Sequence, residues 1–205
     1  MVPMRLGLLG PATDRLDVLE RAARFLHTEV SAERIIYLGL DGALDREVEN
    51  RAKSLVGADA SEGQLFRRAA ERCAAATPME IDAFVGAERE RESLRAFESL
   101  PGDGTRLMEL LGGRVAVLIH DKANLDEDDI ASATFLVFGK STDPLVKAVG
   151  SRWFLAPGHL GDCGMMLLEE RSDGVHLSLF DSVCREIRRE RLVAAPAARI
   201  SVSDG

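Results

Sequence analysis

Short apolar runs that stop at glycine or proline set the rhythm of this chain. Met4 to Leu9 is such a run and ends at Gly10-Pro11, after which Asp14 stands as a cap before Leu16, Leu19, Ala23 and Leu26 at helical period. The pattern predicts a strand, a tight turn and a helix. Arg34 to Leu38 repeats the strand signal and stops at Gly39-Leu40-Asp41-Gly42, a turn of the kind found where a chain leaves the carboxyl edge of a sheet. The opening therefore reads as βαβ. From Ser61 to Ala76 one helical face carries Leu65, Phe66, Ala69, Ala70 and Cys73, and Pro78 is read as closing that helix before a short strand, Ile81 to Val85. A charged helix from Glu88 to Leu100, with Leu94 and Phe97 inward, completes this half.

Past Pro101-Gly102-Asp103-Gly104 the pattern turns strand-like. Val115 to Ile119, Thr134 to Phe138, Trp153 to Ala156, Met165 to Glu169 and Val175 to Phe180 are short apolar runs separated by turns. An α/β half followed by a strand-rich half predicts two packed sheets with helices outside rather than one doubly wound sheet. The 205 residues, 46% of them apolar, suit a single domain with a core over about residues 4–192. The stretch 194–205, rich in Ala and Ser, reads as a tail ordered only if it docks.

Charge then narrows the partners. A net charge of −8, with no basic stripe, repels phosphate backbones and argues against nucleic acid. No run approaches the length of a membrane span, and the start lacks the pattern of a signal peptide. Cys73, Cys163 and Cys184 are odd in number and widely spaced, so they read as small buried residues rather than a disulfide or zinc framework. A reducing cytoplasm is the expected location.

The order of strand ends resembles that of the metallophosphoesterases, the calcineurin-like superfamily, in its small bacterial and archaeal phosphodiesterase branch. The resemblance runs from Met4 to about Leu192. Its carriers are Met4 to Gly10, Ile35 to Gly39, Phe84-Val85-Gly86, Val117 to His120, Val137-Phe138-Gly139 and Ala156-Pro157-Gly158. It implies a four-layer αββα sandwich of two mixed sheets with flanking helices. It also implies two catalytic metals, held by carboxylate, imidazole and amide ligands on loops after successive strands.

Most of those ligands are missing here. Where the family has Asp-x-His the chain reads Pro11-Ala12-Thr13, and where it has Gly-Asp it reads Gly39-Leu40, with Asp41 one residue late. The Gly-Asn-His-Asp loop is matched to Gly86-Ala87-Glu88-Arg89. His120 persists, followed by Asp121 and Lys122, and Gly-His-x-His becomes Gly139-Lys140-Ser141-Thr142. Even one zinc site takes about three protein ligands. A rearranged site could draw only on Asp41, His120, His159 and Asp162, and the more ordinary role for a lone His120 beside a strand end is structural. Arg89, Lys122, Lys140 and Thr142 are candidates for holding an anion directly, against the plainer reading of solvated or locally paired charges.

Two other motifs fail on context. Gly139-Lys140-Ser141-Thr142 imitates the end of a P-loop, but position 134 is Thr and an apolar strand precedes it. Ser141, Ser151 and Cys163 lack the setting of an activated nucleophile. The expected function is thus non-catalytic: a binding, scaffold or regulatory module, as the retromer subunit of this fold resembles the enzymes yet serves in assembly. The first alternative is a divergent metal-dependent phosphodiesterase or phosphatase, the only reading that needs manganese or another divalent metal. The second is a metal-free sensor of a phosphorylated ligand. No cofactor is expected otherwise, and the partners in view are a protein, a second copy of the chain or a small anion.

Overall fold

The computed structural model describes residues 4–192, so the expected tail at 194–205 lies outside the described residues. The first sheet contains β1 (Arg5–Leu9), β2 (Arg34–Tyr37), β3 (Phe97–Ser99), β9 (Met165–Arg171), β10 (Gly174–Phe180) and β11 (Glu186–Leu192), in the order β11-β10-β9-β1-β2-β3. β1 to β3 run parallel and β9 to β11 antiparallel. The second holds β4 (Leu107–Leu111), β5 (Arg114–Ile119), β6 (Phe135–Phe138), β7 (Leu145–Val149) and β8 (Arg152–Ala156), ordered β4-β5-β6-β8-β7. The strands β5, β6 and β8 are parallel, β4 and β7 antiparallel edges.

Alternation sorts the apolar side chains into layers. Leu6, Leu8, Ile36 and Leu38 meet Leu118, Phe135, Val137 and Leu155 between the sheets. Leu9, Ile35 and Tyr37, on the other face, pack against α1 (Leu16–Arg24) and α2 (Ala43–Val56). Every residue of β6 is buried, as a parallel strand covered on both faces requires. On its outer side, α5 (Glu127–Ser132) leads into Ala133, which packs on Val117 and Leu136. Two mixed sheets with helices outside is the architecture that the resemblance implied.

The segment 61–100 departs from the expectation. Ile81 to Val85 is not a strand: it lies inside α4 (Pro78–Ser93). Pro78 opens that helix rather than closing the one before. Thr77 accepts from the Glu80 N–H while the Glu80 carboxylate accepts from Thr77, and proline at the first helical position forfeits no hydrogen bond. Ile81, Phe84 and Val85 then stand three and four apart, a helical spacing that a five-residue run conceals. The expected helix to Leu100 ends at Ser93, and the third parallel strand is β3.

The preceding helix, α3 (Leu65–Cys73), turns a different face inward than its apolar residues suggest. Phe66 is 86% exposed, whereas Arg68 is buried at 5%. Arg68 meets Glu88 of α4 through Nε–Oε1 at 2.6 Å and Nη2–Oε2 at 3.0 Å, and also donates to the Asp59 and Ser61 carbonyls. A charge-assisted fork thus joins the two helices where an apolar seam was expected. No helix among the described residues is long and apolar enough to cross a membrane.

Candidate functional site

The carboxyl ends of β1, β2, β5, β6 and β8 converge on one edge, where backbone bonds stitch their loops together. The Leu38 N–H donates to Leu9 O at 2.8 Å, Lys140 N–H to His120 O at 2.7 Å, His159 N–H to Thr142 O at 3.0 Å and Leu160 N–H to Pro11 O at 3.0 Å. Approach this close depends on two glycines. A Cβ on Gly10 would lie 1.7 Å from the Gly158 oxygen, and one on Gly139 2.3 Å from the Leu38 oxygen. The expected loops after these five strands are therefore neighbours.

Their side chains are already engaged with one another. The Tyr37 hydroxyl accepts the Ala12 N–H at 2.8 Å and donates to Asp41 Oδ1 at 2.9 Å. The same Asp41 oxygen accepts the Ala43 N–H at 3.0 Å, at the first turn of α2. Burial, more than any neighbour, pushes the Tyr37 phenol well above its usual range, so it stays protonated and donating. Lys140 Nζ donates to Asp121 Oδ2 at 2.6 Å. That hydrogen bond, followed by the Ala123 N–H, holds the Asp121 carboxyl below its ordinary value, and the same bond raises the Lys140 ammonium.

His120 Nδ1 lies 2.7 Å from the Leu38 carbonyl oxygen. A carbonyl only accepts, so Nδ1 carries the proton and Nε2 keeps its lone pair in the neutral ring. His159 Nδ1 is 3.4 Å from Thr13 Oγ1, on a loop where Thr13 and Asp14 both take positive φ, 45° and 65°. Asp162 is exposed, and its carbonyl accepts the Ser182 N–H. Asp41, His120, His159 and Asp162 are thus tied to different partners, and no group of three or more His, Cys, Asp or Glu side chains suited to a metal occurs among the described residues.

Of the anion candidates, Lys140 and Thr142 lie on the β6 loop, and Lys122 Nζ sits 5.4 Å above the Phe138 ring. Arg89 is elsewhere. It belongs to α4, which leads through the turn Leu94–Ala96 into the amino end of β3, away from the carboxyl edge. The loop that does follow the third strand is Leu100 to Gly104. It brings Asp103 beside Asn124 Nδ2 at 3.4 Å and within the field that raises Lys140. Asp103 was missed because the strand before it was misplaced. Tyr37 was missed because, within the strand pattern, it reads only as core; the signal beside it was Gly39, where a Cβ would lie only 2.5 Å from the phenol.

A pair of adjacent dications needs several anionic oxygens beneath them. The loops instead present the ring of Pro11, the hydrocarbon of Leu40 and the ammonium of Lys140, with Asp41 and Asp121 already committed. These residues do not fit a two-metal centre.

No family model matches the sequence, and no curated protein matches it. Solved structures do. A conserved uncharacterized protein of Streptococcus pneumoniae, described as a predicted phosphoesterase, superposes with a TM-score of 0.51 at 11% identity, over 93% of this chain and 99% of that one. Vacuolar protein sorting 29 of Cryptosporidium parvum gives a TM-score of 0.51 at 14% identity, over 93% of this chain and 96% of its own. At such identities the likeness is one of fold.

Proposed function

Taking the metallophosphoesterase fold as its frame, we propose that this protein is a non-catalytic example of it, acting as a binding, scaffold or regulatory module. The observation that carries the reading is the Lys140–Asp121 ion pair. An ammonium stands on a loop where the resemblance implies a metal ligand, and the neighbouring Asp121 carboxylate holds it there. Fold alone assigns no activity; the site does. A protein or a second copy of the chain is the partner in this reading, because a net charge of −8 disfavours nucleic acid. Three free cysteines accord with a reducing compartment.

The test is hydrolysis of bis(p-nitrophenyl) phosphate in manganese, with metal content measured on protein purified without chelator. The expected result is no turnover above buffer and well under one equivalent of any transition metal. Turnover that disappears in His120→Ala overturns the proposal. One observation favours a second reading, a divergent metal-dependent hydrolase: His120 donates Nδ1–H to a backbone carbonyl, the orientation that prepares Nε2 for a metal. It is one imidazole without convergent partners, so the same assay decides between the two.

A further inference from the structure

A cavity of about 330 Å³ opens between α1 and α2 and is closed at one end by the last turn of α4 and the start of β3. Small-molecule sites span roughly 300–1,000 Å³. Its walls are apolar: Ala23, Leu44, Val48, Leu94 and Phe97. His27 lies against Phe97 with ring centroids 5.3 Å apart. His27 and Thr28 enter the wall from a π-helical turn, Phe25–Glu29, where the Val30 N–H reaches back to the Phe25 carbonyl at 3.0 Å. Such wide turns are rare and concentrate at functional sites.

The rim decides the ligand's charge. Glu20 and Arg24 come from α1, Glu47 and Arg51 from α2, and Glu90 from α4. Arg51 is paired with Glu90 across the mouth. Glu47 is half-buried, and neither it nor Glu20 has an ion pair or side-chain hydrogen bond among the described residues. Arg24, the remaining cation, is exposed. With the Arg51–Glu90 pair cancelling, an anion would meet two unpaired carboxylates against the single guanidinium of Arg24, on a chain of net charge −8. A cation finds the opposite. From unpaired carboxylates standing over an apolar pocket with a tilted ring pair, His27 against Phe97, we infer that this cavity binds a small organic cation, a protonated amine on a flat apolar body. The ammonium meets Glu47 and Glu20, and the body rests on Phe97 and His27, where the Phe97 ring face also attracts positive charge. Nothing in this inference depends on what the strand-end loops do.

The test is a titration of the isotope-labelled full chain, followed by amide NMR, with phenethylammonium, phenethyl alcohol and hydrocinnamate, which share a body and differ in charge. Phenethylammonium is expected to give saturable shifts at His27, Thr28, Val48 and Phe97, with the alcohol about tenfold weaker and the carboxylate without effect at the cavity. Glu47→Gln is expected to weaken the ammonium about tenfold while leaving the alcohol unchanged. Val48→Trp, which fills the space, removes the shifts; where that variant does not fold, Glu47→Gln decides alone. Equal binding of the alcohol or carboxylate, shifts away from the cavity, or no shift at millimolar phenethylammonium overturns the proposal.

Discussion

The Tyr37 hydroxyl and the Asp41 carboxylate are joined across 2.9 Å, and through them the loops after β1 and β2 are held as one piece. The phenol is fully buried, and its high pKa keeps it a donor throughout the neutral range. Asp41 is thereby spent on the fold. The carboxylate that the sequence leaves as a late substitute for a metal ligand accepts the Ala43 N–H at the start of α2 and satisfies the tyrosine instead.

Tyr37→Phe tests that role. It leaves the buried Ala12 N–H without its acceptor, which costs about 1–3 kcal/mol. Urea denaturation should show a lower midpoint with unchanged slope, and hydrogen exchange should show Ala12 losing protection. A midpoint equal to that of the wild type would mean that the two loops are held by their backbone bonds alone.

The Arg68–Glu88 fork gives a pH signature. Hydrogen bonding from Arg68, then from Arg91, holds the Glu88 carboxyl below its ordinary value of 4.5. A depressed folded pKa contributes stability that is fully present above the unfolded pKa and is lost as pH falls through the folded one. Protection of α3 and α4 amides should therefore fall below about pH 4.5, ahead of the strands. Glu88→Ala leaves Arg68 buried and unpaired, and should cost about 3–5 kcal/mol at neutral pH and abolish that acid step. An acid step unchanged in Glu88→Ala assigns it to another carboxylate.

How legible the fold was follows from which forces shaped each part. β1, β2, β5, β6 and β8 are buried apolar runs, all but β5 ending in glycine or proline, and hydrophobicity alone announces them. The edge strands β4, β7 and β11 went unread because exposed faces admit residues such as Met108, Lys147 and Arg189. The helix α2, with only Ala43, Leu44 and Val56 buried, likewise lacks an apolar stripe. The pair α3 and α4 misled most, because its seam is ionic. At the site, the replaced residues Pro11, Leu40 and Lys140 were visible as single letters. What those letters pair with, Tyr37 to Asp41 and Lys140 to Asp121, needed the register of strands far apart in sequence.

Gly10→Ala probes the junction of the β1 and β8 loops. Its new Cβ meets the Gly158 backbone oxygen at 1.7 Å, so one loop has to retreat. Because the obstacle is backbone rather than a flexible side chain, a loss at or above the usual overpacking range of about 1–3 kcal/mol is expected. Circular dichroism melts would register it, and the Gly164 carbonyl should lose the Gly10 N–H in amide exchange. A neutral result would show that the loops part freely.

Gly86→Ala should do the reverse, and it separates the two readings of the segment around it. As the end of a strand turning into a catalytic loop, Gly86 would be needed for its conformational freedom, and a methyl group there would destabilise. In α4 it is an exposed interior helical residue, and an added Cβ meets nothing within 4 Å. Alanine exceeds glycine by about 0.5–1 kcal/mol at such a position, chiefly because the unfolded chain has fewer conformations to lose. The expected outcome is a rise in the urea midpoint with unchanged slope, and slower exchange of the α4 amides around it. A fall in stability would return residues 81–86 to the strand-and-loop arrangement, and with it Arg89 to the rim of the cleft.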